Sequence, residues 1–190
     1  MGKSHDLATA AAGFTFSGTV DASSGLTTPA GHVIQVVEGS MGDRLALSTG
    51  GNWTQVTNLT ASITPSSTSS KILVQCNVNL AGAYSYYTVG ARLYVNGSHL
   101  SDASSNSTAL SNDNVSWFAV GAQQWSNYTR EQATAQYLHS PASTSAQVYS
   151  LYVNDQRDNS TVYVNRYHYS TNAAYMYTTR SNFILMEIAQ

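Results

Sequence analysis

KILVQCNVNL, Lys71 to Leu80, sets Ile72, Val74, Cys76, Val78 and Leu80 at alternate positions, with Gln75, Asn77 and Asn79 between them. Successive side chains of an extended chain point to opposite faces, so this period of two predicts a strand with one dry face. A helix would need apolar residues three to four apart and runs of Glu, Lys, Leu and Ala. Such runs are scarce throughout the chain.

Downstream, YYTVGARLYV (Tyr86 to Val95) repeats the pattern, with Tyr87, Val89, Ala91, Leu93 and Val95 on one face. Asn96-Gly97 follows, a dipeptide that tolerates the positive φ angles of a tight hairpin turn. Upstream, WTQVTNLTASIT (Trp53 to Thr64) ends at Pro65 and the turn-forming tract SSTSS, and HVIQVVE (His32 to Glu38) gives a first strand. Val115 to Gln124 forms another strand. Ala146 to Asn154 and Thr161 to Asn165 read as a hairpin around Asp155 to Ser160, and Asn182 to Ile188 as a last strand covered on both faces. Ser101 to Asn114 is a polar insertion with little to bury and reads as a mobile surface loop. Tyr-Val-Asn recurs at residues 94 to 96, 152 to 154 and 163 to 165, too unevenly for a repeat architecture, and marks strand ends.

Many short strands separated by turn signals predict an all-β fold, a jelly roll or β-sandwich, over residues 31 to 190. Residues 1 to 30 differ. Phe14, Phe16 and Val20 are set among small residues with few core candidates, as in a short extended N-terminal arm or trimerising stem.

Charged residues make up 9% of the 190, against about a quarter in an ordinary soluble domain. Ser (27), Thr (20) and Asn (14) together fill 61 positions, so the surface is polar and largely uncharged. Hydrophobic residues reach 42%, enough for a folded core. Two lysines and six arginines face ten carboxylates, which leaves no basic footprint for phosphate contacts, and nucleic acid is not an expected partner. No window approaches 18 consecutive apolar residues, and MGKSHDLATAAAGFTFSG lacks the apolar core of a secretory signal. Neither membrane insertion nor export through a signal peptide is expected. Cys76 is the single cysteine, which excludes an internal disulfide, and its place on the apolar face predicts a buried, inert thiol. Seven N-x-S/T sequons accompany this composition and read as its by-product.

Catalytic signatures are missing from the sequence. It has no G-x-S-x-G elbow, no phosphate-binding glycine loop and no calcium loop, and His32, His99, His139 and His168 stand singly without metal-ligand spacing. No catalytic residue, metal or cofactor is assigned. Ten scattered acids do not point to a pair flanking a glycosidic bond, although hydrolysis would require one.

The informative excess is tyrosine, thirteen in all, of which Tyr163, Tyr167, Tyr169, Tyr175 and Tyr177 are concentrated in VYVNRYHYSTNAAYMYTTR. Tyrosine joins a flat apolar ring to a polar tip, suited to stacking on sugar rings and equally to packing between strands or subunits. Tyr163, Arg166, Tyr167, His168, Tyr169, Tyr175 and Tyr177 are therefore the candidate ligand-binding residues. Arg166 and His168 would supply directional contacts.

LTASITPSSTSSKILVQCNVNLAG (Leu59 to Gly82) resembles the C-terminal β-rich domains of tailed-phage fibre and virion surface proteins, especially of marine-phage type. GHVIQVV, the late YVNR segment and the terminal SNFILMEIAQ are similar to the same domain, so the resemblance covers about residues 31 to 190. It implies a jelly-roll-like domain, often trimeric, displayed on the virion surface for assembly or host binding. The expected partners are two further copies of the chain in a homotrimer, a capsid or tail protein reached through residues 1 to 30, and a host-surface glycan. An arm of some thirty residues is much shorter than a long fibre's shaft and suits a small fibre or knob. A capsid decoration protein without receptor binding is the alternative, and a polysaccharide depolymerase the enzymatic one.

Overall fold

The computed structural model describes residues 29–83, 88–104, 115–121, 130–155, 161–168 and 177–190. Residues 1 to 28 of the expected arm, most of the 101 to 114 loop, Tyr169 and Tyr175 lie outside these residues. The described strands are β1 (Val33–Met41), β2 (Leu45–Ser48), β3 (Thr54–Ile63), β4 (Lys71–Gly82), β5 (Val89–Val95), β6 (Ser98–His99), β7 (Phe118–Val120), β8 (Glu131–His139), β9 (Gln147–Asp155), β10 (Thr161–Val164) and β11 (Ser181–Ile188). The fold is all-β. Its strand pairs are antiparallel, and they form two sheets packed as a sandwich.

β4 is the backbone of the first sheet. One of its edges pairs with β8 over residues 72 to 80. Its other edge is shared end to end, by β11 at residues 71 to 77 and by β10 at residues 80 to 82. β1 extends the sheet beyond β11, and β2 beyond β10. In the second sheet β9 lies between β3 and β5, and β6 and β7 share the far edge of β5.

The dry face expected of β4 is present: Ile72, Val74, Cys76, Val78 and Leu80 are fully buried. They meet Val89, Ala91, Leu93, Tyr149, Leu151 and Val153 of the second sheet in one core. At the sheet edge, Gly39 of β1 lies directly against the backbone of Thr60 in β3, leaving no space for a Cβ. The Asn96-Gly97 turn has φ of 49° and 79°, and Tyr94 pairs with His99 across it, as the dipeptide predicts.

Several expectations are corrected. β9 and β10 do not form a hairpin; β9 belongs to the second sheet and β10 to the first. β11 is buried on one face only, because nothing described covers the outer side of the first sheet, where Ile184, Met186 and Ile188 remain half exposed. β3 is broken by an irregularity between Gln55 and Thr60, with Asn58 at φ 67°, which turns both Val56 and Leu59 inward. The described strand within Val115 to Gln124 shrinks to three residues, and Ser101–Ala103 form a turn of 3-10 helix within the expected loop. β2 and β8 were not expected. β8 carries alanines and glutamines in place of large apolar residues, so its period is hard to see in the sequence.

Candidate functional site

Val162 and Val164 of β10 point into the core, which by the period of two places Tyr163 on the outer face. Tyr163 pairs with Ala81 of β4, and Ala81 is itself fully buried there. β10 ends at Val164, and Asn165 follows it with a φ of 56°, in the left-handed region that asparagine tolerates better than most residues. Its amide is locked on all sides: Nδ2 donates to the carbonyls of Met41 (3.0 Å) and Asp43 (3.2 Å), and Oδ1 accepts from the Ser181 hydroxyl at 2.7 Å. Ser181 Oγ in turn accepts from the backbone N–H of Asn79, and Asn79 Nδ2 donates to the Arg180 carbonyl. The ends of β1, β4, β10 and β11 are thereby held together beneath the segment that follows.

Among the described residues, that segment carries the candidates Arg166, Tyr167, His168 and Tyr177, and Tyr163 lies just before it. His168 stacks on Tyr163 with ring centroids 5.1 Å apart and planes 23° from parallel. The Arg166 guanidinium lies 5.0 Å from the Tyr163 ring centroid and donates from Nε to the Tyr167 carbonyl. Sequence reasoning missed the next member. Arg130, which immediately precedes β8, holds its guanidinium 4.7 Å from the Tyr167 ring and donates to the Tyr177 carbonyl at 3.1 Å. Only the partner strand's register, with Glu131 opposite Leu80, places Arg130 beside a tyrosine 37 positions later in the chain. Tyr163, Arg166, Tyr167 and His168 are half-buried, while Tyr177 is 75% exposed. The result is an open cation–aromatic cluster at one end of the first sheet.

A second aromatic group, on the outer face of the other sheet, is spent on internal packing. Tyr94 and Tyr152 stack on each other at 3.7 Å, and Arg92 is buried with its guanidinium 4.0 Å from the Trp53 ring and its Nε on the Val115 carbonyl. Burial lowers the pKa of His99, and the nearby Arg92 charge adds to that effect; burial likewise lowers that of His139, partly opposed by Asp102. His139 Nδ1 lies 2.8 Å from the hydroxyl of buried Tyr149.

The buried acid Glu187 was also not singled out, although alternation with Phe183 and Leu185 places it on the inward face. Ser66 donates to it from both N–H and hydroxyl, at 2.7 and 2.6 Å, and Gln35 Nε2 at 2.6 Å. Burial pushes its carboxyl pKa up, but these bonds and one from Ser70 outweigh burial and hold it at about 2. Its role is structural, tying the Pro65–Ser70 turn to β1 and β11. Burial pushes the Cys76 thiol far up, in keeping with an inert side chain. Among the described residues, no group of three or more His, Cys, Asp or Glu could hold a metal ion, and no helix is long and apolar enough to cross a membrane.

Compared with models of known protein families, the chain matches none, and no curated protein matches it.

Proposed function

We propose that this protein is a non-enzymatic virion surface component of a tailed phage, a homotrimeric small fibre or knob that binds a host-surface glycan through the Tyr163 to Tyr177 cluster. Residues 1 to 30 attach it to a capsid or tail protein. The observation that carries the binding reading is the half-exposed stack of Tyr163 and His168 beside Tyr167, with a guanidinium over each tyrosine ring. Rings that keep an edge or face open, flanked by hydrogen-bond donors, are the elements with which proteins grip sugars. The domain reads as jelly-roll-like because consecutive strands change sheet repeatedly, from β2 to β3, β3 to β4, β4 to β5 and again from β7 through β10.

Trimer formation is supported by the outer face of the first sheet, which no described residue covers. Val36, Met186, Leu73 and Leu138 line up across β1, β11, β4 and β8 in one register row, with Val36 and Leu138 58% and 45% exposed. Ile34 and Ile188 continue the apolar area. Such a patch is characteristic of an interface. A trimer also solves the affinity problem of a small open site: millimolar binding is about −4.1 kcal/mol, and linked sites raise avidity by roughly 10² to 10⁴ when their spacing fits the target.

The test is Tyr167→Ala in the full chain, with circular dichroism and sedimentation as controls on fold and assembly. Loss of adsorption to host cells and of glycan-array binding is expected. Unchanged adsorption by an intact trimer would reject the site and favour a decoration protein.

A further inference from the structure

Building on the glycan-binding reading, the geometry points to an acidic glycan as the ligand: a sugar bearing carboxylate or sulfate, engaged by Arg130 and Arg166 with Arg180 at the margin. The chain as a whole carries a net charge of −2, yet its arginines are unevenly placed. Arg130 precedes β8, Arg166 follows β10 and Arg180 precedes β11, so all three stand at the same end of the first sheet. Lys71 is at the opposite end of that sheet, opposite Ile188.

These guanidinium groups are engaged only by neutral partners among the described residues. Arg130 donates to the Tyr177 carbonyl, Arg166 to the Tyr167 carbonyl and Arg180 to the Ser40 hydroxyl. A guanidinium has five N–H donors, so most of their capacity is unspent. The acids of this end are turned elsewhere. Glu131 lies opposite Leu80 and accepts from the Gly121 N–H, Asp43 accepts from Asn58 Nδ2, and Glu38 accepts from Asn182 Nδ2. A protein with few charges has thus set cations among tyrosines and a histidine, with no carboxylate partner among the described residues. Planar guanidinium groups match the paired oxygens of carboxylate and sulfate, and those of Arg130 and Arg166 lie 4.7 and 5.0 Å from the ring centroids of Tyr167 and Tyr163.

The experiment uses the full chain and four probe sets: hexuronate oligosaccharides, sulfated galactose oligosaccharides, and the carboxyl-reduced and desulfated counterparts of each. Binding to either acidic set is expected to exceed its neutral counterpart by about tenfold or more, and to weaken as salt rises. The two acidic arms identify which anion is preferred. Arg130→Gln and Arg166→Gln should each lower acidic binding by about tenfold, whereas the Arg→Lys variants, which keep the charge, should retain more of it. Circular dichroism confirms that the variants fold. Equal binding of acidic and neutral sugars that is lost in Tyr167→Ala but kept in both Arg→Gln variants would overturn the acidic preference and leave the glycan site standing. Acidic selectivity unaffected by either Arg→Gln variant would overturn the assignment to this end of the sheet. Failure of all four probe sets to bind the intact assembly would overturn both the preference and the glycan reading beneath it.

Discussion

The Ser181 hydroxyl donates a 2.7 Å hydrogen bond to Oδ1 of Asn165, fastening the first residue of β11 to the residue that follows β10. Both residues are buried, and the bond is one link in a chain that continues through Asn79 to the Arg180 carbonyl. The candidate site flanks Asn165, with Tyr163 two residues before it and Arg166 directly after it. Its cation–aromatic geometry therefore rests on a polar network that contains none of the proposed ligand-binding side chains.

Asn165→Ala should cost about 3 kcal/mol, since it strands the buried partners at Met41 and Ser181, removes the bond to the more exposed Asp43 carbonyl, and also puts a Cβ-bearing residue without a local side-chain bond at φ 56°. Asn165→Gly loses the same bonds but not the conformational tolerance, and should be about 1 kcal/mol less damaging than Ala. Denaturant unfolding of the two variants separates the contributions. Equal losses would mean that the backbone conformation matters little.

Glu187 should make the fold acid-sensitive in a defined window. Its carboxyl is held at about 2 when folded, against 4.5 as the ordinary value, so between these limits the unfolded chain binds the extra proton. The stabilisation is complete above about pH 4.5 and is lost as pH falls through about 2. Allowing for solvent at exposed Ser66, it is on the order of 2 kcal/mol. Unfolding free energy measured across that window should slope less in Glu187→Gln than in the parent. Parallel slopes would assign the acid sensitivity to other groups.

Gly39→Ala should destabilise by about 3 kcal/mol or more, because the added methyl would fall on the Thr60 carbonyl, which is backbone and cannot rotate aside. Thermal unfolding reads this directly. A variant as stable as the parent would mean that β1 and β3 can separate at that edge.

Leu138→Asp and Val36→Asp should leave the sandwich folded, since both side chains already face solvent within one chain. They should, however, convert a trimer into a species of 20.4 kDa by placing charge on the apolar row. Sedimentation of each variant at micromolar concentration is the measurement. A parent chain that already sediments as a monomer would remove the trimer from the proposal.

The legible parts of the fold were those where a single strand carries its own signal. β4 announced itself because its inward residues are large and apolar, and the 96–97 turn because Asn-Gly accepts positive φ at both positions. β8 was silent. Its inward face uses Ala133, Ala135, Tyr137 and His139, and as a strand at the sheet edge it needs less apolar bulk. The β9–β10 hairpin failed for a different reason: two strands joined by a short polar stretch satisfy the sequence pattern equally well when they lie in opposite sheets.

The all-β class, the buried face of β4, the inert thiol and the concentration of tyrosines after residue 162 are legible along the chain, because each depends on residue type and a period of two along one strand. Tertiary structure alone decided that Arg130 stands over Tyr167, that Glu187 is held by Ser66 and Gln35, and that Asn165 locks four strand ends. Those relationships join residues far apart in the chain, and strand order and register, which no local pattern encodes, bring them within a few ångströms.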